Sequence, residues 1–448
     1  MVFLTNGGLE AATVQESVLL FVLIIYNAVL IAAYPFLRLY FLWQGARSEK
    51  FTGTMQERFG RYPAVKRRKS GERVIWVHAV SVGEAVGATK FIRLLLDREK
   101  DASIVVTTAT KGGMNILESS FGGSITAAYF PFDFPWVVRR ALKAFRPSSL
   151  ILMETEIWPN LTTAVARRGA PVILLNGRVS DRMASAGAMV KTVYSSVFSA
   201  MRALGMQTEE DAGRIIRLGA PAAKTHVVGN MKFDASPDAP DAEKTAELKA
   251  LLNPGGGPVF TAGSTHPGEE EMILDVFSRL RRKRPELRLL LAPRHIERAA
   301  VVLDLAQASF PDAKLRSSLA SAGVVSTPSV VVMDTIGELR LAYGLSTLCF
   351  VGGSLVERGG HNILEPAACG KAAFYGPHMM NFIASARALE AGGGGVMVKD
   401  SEDLFARLSE YLDDEEARAR VDSNALKVIM RNAGATERAH RIFKESSL

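Results

Sequence analysis

The stretch from Ser17 to Phe36 carries no charge, and Val, Leu, Ile, Phe and Ala fill most of it, broken by Tyr26, Asn27, Tyr34 and Pro35. About 20 such residues, wound as a helix, are enough to cross roughly 30 Å of hydrocarbon, with Tyr34, Tyr40 and Trp43 as its expected interfacial belt. From Val74 onward the pattern changes. Short apolar runs at Val74–Val80, Ser103–Thr107, Ile125–Phe130, Leu150–Met153, Val172–Leu175 and His226–Val228 alternate with amphipathic segments. Continuous rather than alternating apolar strands belong to parallel sheets covered by helices on both faces. The rhythm pauses at Asp234–Asp241 and again at Asn253-Pro-Gly-Gly-Gly-Pro258. It resumes at Val259–Ala262, Leu287–Ala292, Val330–Met333, Thr347–Val351 and Ala372–Tyr375, and from Asp403 onward the pattern is helical.

The expected class is α/β, with two doubly wound Rossmann-like domains facing a cleft behind an N-terminal membrane-anchor helix. The expected order is an anchor over 1–43, an N-terminal α/β domain over 44–235 and a linker over 236–257. A second α/β domain over 258–425 and a C-terminal helix over 426–448 follow. A chain of 448 residues is too long for one ordinary domain.

Charge adds one feature. The formal net charge is +8, and much of the excess falls between Arg38 and Arg73, notably at Arg61, Lys66, Arg67, Arg68 and Lys69. Placed after the apolar stretch, these cations read as an anionic membrane surface rather than a nucleic-acid groove. They put the N-terminus outside and the main body on the cytoplasmic side. Asn27 and Pro35 keep open a second reading, a helix that only dips into the bilayer. Two cysteines, Cys349 and Cys369, exclude a disulfide scaffold.

Chemistry gathers at the ends of the apolar runs. Cys349-Phe-Val-Gly-Gly-Ser354 continues to Gly359-Gly-His-Asn-Ile-Leu-Glu-Pro366. Glycines let backbone N–H groups approach a ligand, and a helix start favours phosphate. A carboxylate at such an end suits ribose hydroxyls instead. Gly352, Gly353, Ser354, Asn362 and Glu365 therefore read as a nucleotide pocket, joined by Ser264, Thr265 and the phosphate-suited Arg294. Three pairs place a capping residue three positions before a glutamate, Ser81/Glu84, Thr335/Glu338 and Asn362/Glu365, with a looser version in Ser264-Thr-His-Pro-Gly-Glu269, and each fits a capping box as well as a ligand site. Glu84, beside Gly83, is the candidate general base. Glu154, Glu156 and Arg178 are candidates for a secondary acid–base or acceptor role. No Asp-x-Asp pair follows a strand, no Walker loop is present, and no Gly-x-Gly-x-x-Gly follows the first strand. Metal-held sugar nucleotides, ATP hydrolysis and dinucleotide oxidoreduction are thereby disfavoured.

Taken together these motifs resemble one family, the 3-deoxy-D-manno-octulosonic acid (Kdo) transferases of lipid A assembly. The resemblance runs through His78-Ala-Val-Ser-Val-Gly-Glu84, Glu154-Thr-Glu-Ile-Trp-Pro-Asn160, Asn176-Gly-Arg-Val-Ser-Asp181 and Gly229-Asn-Met-Lys-Phe-Asp234. It continues in Ala262-Gly-Ser-Thr-His266, Pro293-Arg-His295, Asp334-Thr-Ile-Gly-Glu-Leu339 and the Gly352–Pro366 stretch. It implies a GT-B fold and inverting, metal-independent transfer of Kdo from CMP-Kdo to the lipid A precursor lipid IVA at the inner membrane. No cofactor and no nucleic acid enter. It puts the catalytic carboxylate on Glu84 and donor contacts on Arg294, Ile336, Gly337, Glu338, Asn362 and Glu365. The rival enzyme reading is a UDP-sugar transferase of the same fold acting on another membrane lipid. The rival from another class is a membrane scaffold that has kept a nucleotide fold.

Overall fold

A computed structural model describes residues 20–36, 54–63, 71–235, 241–252, 255–319 and 328–447. The chain divides into two compact units, one of residues 1–235 with 433–448 and one of residues 236–432.

The first unit is built on β1 (Arg73–His78), β2 (Ala102–Thr108), β3 (Thr126–Tyr129), β4 (Ser149–Met153), β5 (Val172–Gly177), β6 (Ala203–Met206) and β7 (Thr225–Val227). They pair in the order β3-β2-β1-β4-β5-β6-β7, all parallel. Val74 and Trp76 enter one apolar cluster, with Val105, Leu150 and Leu174. Ile75 and Val77 enter another, with Val106, Ile151 and Ile173. Successive side chains on a strand point to opposite faces. Both faces of this sheet are buried, which is why the strands read as unbroken apolar runs.

The second unit repeats the plan with β8 (Val259–Thr265), β9 (Arg288–Pro293), β10 (Lys314–Leu315), β11 (Val330–Val332), β12 (Leu348–Val351), β13 (Ala373–Tyr375) and β14 (Gly395–Met397). Their order is β10-β11-β9-β8-β12-β13-β14, again all parallel. In each sheet the strand order reverses beside the first strand, between β1 and β4 and between β8 and β12. In open α/β sheets ligands bind at the carboxyl ends around such a point.

The C-terminal segment departs from the expected single helix over 426–448. Glu415–Asn432 belongs to the second unit, while Ala435–Ser447 returns to the first. There Ala435, Ala439, Ile442 and Phe443 complete the core under β5. Asp234 accepts the N–H of Gly434 at 2.8 Å and of Thr436 at 2.5 Å. The segment expected as a linker, 236–257, contains a helix at Ala242–Leu252.

The apolar N-terminal stretch also differs from expectation. Among the described residues no helix is long and apolar enough to cross a membrane. The helix over 20–36 lies along the first unit with its polar residues inward. Asn27 and Asn160 exchange amide hydrogen bonds of 3.1 and 2.7 Å, and Tyr26 hydrogen-bonds Asp133. Tyr34, expected in an interfacial belt, packs edge-on against Phe134 and Trp136, with centroids 5.3 and 5.7 Å away. Val22 is 5% exposed, whereas Val29 on the other side is 63% and Phe36 74% exposed. Tyr40 and Trp43 lie outside the described residues, as do Arg38, Arg47, Lys50, Lys66, Arg67, Arg68 and Lys69 of the basic cluster. Two of its described members serve the fold. Arg58 is buried, with its guanidinium over the Tyr129 ring. Arg73 pairs with Glu99 at 2.8 Å and Asp101 at 3.0 Å.

Candidate active site

At the carboxyl end of β1 the chain turns into the helix Val82–Arg98. Ser81 is its N-cap and accepts the Glu84 N–H at 3.3 Å. The Glu84 carboxylate accepts the Ser81 hydroxyl at 2.9 Å and the Val80 N–H at 2.8 Å. A capping box would return to the N–H of the cap residue itself. Here the carboxylate reaches one residue further back and so sits over the strand end. Burial, and then the charge of Glu154, push the Glu84 carboxyl up to about 7, against the two hydrogen bonds that lower it.

Glu154 follows β4, the neighbour of β1. Its backbone is left-handed, with φ 55°, a conformation that costs a non-glycine residue free energy and turns the side chain out of the strand. Lys232 Nζ meets its carboxylate at 2.7 Å. The lysine comes from Met231–Ala235, which Asn176 fixes by accepting the Met231 N–H at 2.9 Å. Its stem lies where Gly87 leaves room, since a Cβ at Gly87 would come within 3.0 Å of Lys232 Cγ. Glu156 is half-buried, and burial, then repulsion from Glu154, raise its carboxyl. Arg178 is tied to this loop through its backbone, whose N–H donates to Thr155 Oγ1 at 2.8 Å, while its guanidinium is exposed. His78 at the end of β1 is a core residue. Nδ1 donates to the Thr107 carbonyl at 3.0 Å, the ring stacks on Phe130 at 3.6 Å, and burial holds the imidazole neutral, down to about 3.

The second unit gathers its residues in the same way. Glu154, Asn176 and Ser264 are three of the four non-glycine positive-φ residues among those described, and all lie at carboxyl ends of strands. Ser264 and Thr265 end β8. Thr265 is buried and donates to Glu270 at 3.3 Å, so its hydroxyl serves the fold. Arg294 follows β9, exposed and without a side-chain partner among the described residues. After β11 come Ile336, fully outward at 89% exposure, Gly337 with φ 90°, and Glu338. Glu338 receives the Thr335 hydroxyl and pairs with Arg316 at 2.8 Å. Asn362 Nδ2 donates to Glu365 at 3.2 Å. Burial raises the Glu365 carboxyl above its ordinary range.

The loop after β12 is already occupied from within. Glu269 is fully buried and accepts four backbone N–H groups: His266 at 3.0 Å, Gly353 at 2.7 Å, Ser354 at 2.9 Å and Leu355 at 2.9 Å. Gly352 donates to the Gly263 carbonyl at 2.8 Å, and the Ser354 hydroxyl bonds Val351 and Gly376. Of the two N–H groups expected to face a phosphate, that of Gly353 holds an internal carboxylate and that of Gly352 a strand carbonyl. Gly352, Gly353 and Ser354 thus shape the loop, and the side chains around it are left to meet a ligand.

Residues 53–235 match the family model described as 3-deoxy-D-manno-octulosonic-acid transferase (kdotransferase). The 3-deoxy-D-manno-octulosonic acid transferase of Haemophilus influenzae is 33% identical over 420 residues, which is 94% of this chain and 97% of that protein. The chain belongs to the 3-deoxy-D-manno-octulosonic acid (Kdo) transferase family. The Bordetella pertussis transferase is 32% identical over 89% of this chain and 94% of its own length. A solved structure, the C-terminal CMP-Kdo binding domain of WaaA from Acinetobacter baumannii, is 30% identical. It covers 42% of this chain and 97% of that domain at a TM-score of 0.40.

As a Kdo transferase the chain is a glycosyltransferase, of two Rossmann-like units in series. Lys232 lies in a quoted motif without a role of its own, and Glu269 is read only as the glutamate of a looser capping form. The partner of Lys232 is 78 positions away and that of Glu269 at Gly353 is 84 away. A lysine at the second position of a short helix after Gly229-Asn230 was the available signal for the first. A glutamate three residues after His266 was the signal for the second. Among the described residues no group of three or more His, Cys, Asp or Glu is placed to hold a metal ion.

Proposed function

We propose that this enzyme transfers Kdo from CMP-Kdo to a primary hydroxyl of the lipid A precursor lipid IVA, with inversion and with Glu84 as general base. The observation that carries this reading is Glu84 itself. It is a mostly buried carboxylate at the strand-order reversal, with its affinity for a proton raised to the operating range of a base near neutral pH. Glu84 takes the hydroxyl proton as the oxygen forms its bond to the anomeric carbon. The bond from that carbon to the phosphate oxygen breaks, and CMP leaves with the electron pair. Arg294 faces the phosphate and Glu365 the ribose. Lys232, beside Glu154, supplies the positive charge near the base. The donor has a single phosphate, so the step as drawn needs no metal. The test is mass spectrometry of lipid IVA after incubation with the protein and CMP-Kdo. A mass increase of one or more Kdo units is expected, and an unchanged acceptor with intact protein sinks the reading.

Glu365→Ala is expected to weaken CMP binding by about 1.5–3 kcal/mol, the worth of a hydrogen bond to a charged group. Calorimetry on the folded variant checks it. Lower stability with unaltered CMP affinity makes Glu365 a loop residue only.

The reading also places the enzyme on a membrane, by an in-plane helix. A helix packed on protein in water turns its apolar side inward. The helix over 20–36 buries Val22 and Leu23 but also turns Tyr26 and Asn27 inward, and it presents Leu20, Phe21, Ile24, Ile25, Val29, Ile31 and Phe36 outward. That arrangement suits a helix lying in the bilayer interface. The helix Pro135–Phe145, whose start it packs on, also borders a groove of about 460 Å³. Arg139, Lys143, Arg146 and Arg168 line that groove, at the amino ends of β4 and β5 and so away from Glu84. The double substitution Ile24→Glu with Val29→Glu is expected to release the protein from vesicles of anionic phospholipid while leaving CMP affinity unaltered. Retention on vesicles would remove the helix from the contact.

A further inference from the structure

Two imidazoles meet at the strand-order reversal of the second unit. His266 Nε2 and His361 Nε2 lie 2.8 Å apart. The ring planes differ by 8° and the centroids are 5.1 Å apart, so the rings touch edge to edge. One nitrogen of such a contact carries the hydrogen and the other is bare, because two facing N–H groups repel. The donating ring, when neutral, therefore has an unprotonated Nδ1. Gly353 makes the approach possible, since a Cβ there would lie 2.9 Å from His361 Cδ2 and 3.0 Å from its Nε2.

The surroundings are positive. The His295 ring centroid is 5.7 Å from that of His266. Arg294, Arg298 and Arg358 act on His266, and Arg294 acts on His361 as well. Arg298 is committed to the buried Glu270 at 2.7 Å. Glu269, from the same helix as Glu270, is spent on backbone N–H groups. Arg294 and Arg358 are exposed and have no side-chain partner among the described residues. Burial, and then these positive neighbours, hold His361 down at about 4 and lower His266. With Arg294 answering the donor phosphate in the reading above, the Arg358 guanidinium beside an uncharged imidazole pair is left as a site that lacks an anion.

We propose that His266, His361 and Arg358, beside the phosphate-facing Arg294, form a carboxylate subsite that reads the acid group of the transferred sugar, and that the imidazole pair takes up one proton when that carboxylate arrives. The inference rests on the donor reading above. The sugar is an octulosonic acid, so its activated form carries a carboxylate besides the phosphate. A neutral sugar nucleotide lacks that charge. The proton comes from solvent onto the bare Nδ1, and the in-line N–H to N bond survives, so the pair becomes one imidazolium hydrogen-bonded to one imidazole. A charge-assisted contact to carboxylate then replaces repulsion among cations. No covalent bond changes in this step.

The experiment compares His361→Gln and Arg358→Gln with the wild type, using CMP-Kdo for kinetics and CMP for calorimetry. Each variant is expected to raise KM for CMP-Kdo by about 10- to 100-fold, as the loss of a charged hydrogen bond does. The turnover number at saturation and the Kd for CMP are expected to stay within about threefold, a split that general damage to the fold would not give. Calorimetry of CMP-Kdo in two buffers of different ionisation enthalpy is expected to show proton uptake near pH 7 in the wild type and its loss in His361→Gln. An unaltered KM, a parallel loss of CMP affinity, or equal proton uptake in the variant overturns the proposal. A wild type that binds CMP but does not turn over CMP-Kdo overturns the donor reading and this subsite with it.

Discussion

Glu84→Gln is expected to lower turnover by about 10²–10⁴-fold, the usual contribution of a positioned general base. The amide keeps the size of the side chain and can still serve the Ser81 cap, but it cannot accept a proton. The pH profile supplies a second signature. Only the ionised carboxylate is a base, and the Glu84 carboxyl titrates at about 7. Activity of the wild type should therefore fall on the acid side of that value. The same shift has a consequence for stability. The folded carboxyl holds its proton up to about 7, whereas the unfolded one releases it near 4.5. Between those values the folded state binds more protons, so stability falls as pH rises through the window. Glu84→Gln lacks that dependence, and its melting temperature relative to the wild type should improve from pH 4.5 to pH 7. A Gln variant with wild-type turnover would leave Glu84 as a helix-start residue, and the search for the base would move to Glu154 and Glu156.

Lys232→Met is expected to do two things. Glu154 loses the ammonium 2.7 Å away, so its negative charge acts on Glu84 without compensation. Like charges favour the protonated form, and the acid limb of the pH profile should move to higher pH. A preorganised positive charge beside the reacting groups is also removed, and such losses cost about 10²–10³-fold in turnover. The plateau above the limb should stay low by about that factor. If the limb shifts but the plateau recovers at high pH, the lysine acts only by setting the base. A limb that does not move at all would sink the coupling between Lys232, Glu154 and Glu84. Methionine preserves the apolar stem against Gly87, so the helix contact should survive.

The strands of both sheets were legible because parallel strands covered on two faces need apolar side chains at every position. β6, β10 and β14 escaped notice. Ala203-Leu-Gly-Met206 has no β-branched residue, and the other two are edge strands of two and three residues. Local pairs were legible too, since Ser81 and Glu84 are three positions apart. What a linear reading cannot supply is which strand ends become neighbours. Lys232 finds Glu154, and Glu269 finds Gly353, only once the sheet order is set. The glycine pair after β12 was read as a phosphate cradle because its N–H groups looked free. The carboxylate that takes the Gly353 N–H comes from the helix after a different strand, and the carbonyl that takes the Gly352 N–H comes from that strand itself. The apolar stretch near the N-terminus was recognised by hydropathy, which averages over all directions. It cannot tell that Tyr26 and Asn27 face the protein while the apolar half faces out.

The return of Ala435–Ser447 to the first unit bears on how the chain comes to be folded. The core under β5 includes Ile442 and Phe443, and the end of Met231–Ala235 is held by the backbone at Gly434 and Thr436. That short helix carries Lys232. Domains usually fold in turn as they leave the ribosome. Here the unit made first waits for a segment that follows the whole second unit, and the second unit can mature while the first still lacks a wall. A single proteolytic cut between the units would leave the first one missing a helix. The residues closest to the proposed chemistry are thus set in place by a segment synthesised after the second unit, and a chain stopped short of it would have no fixed lysine beside its acidic pair.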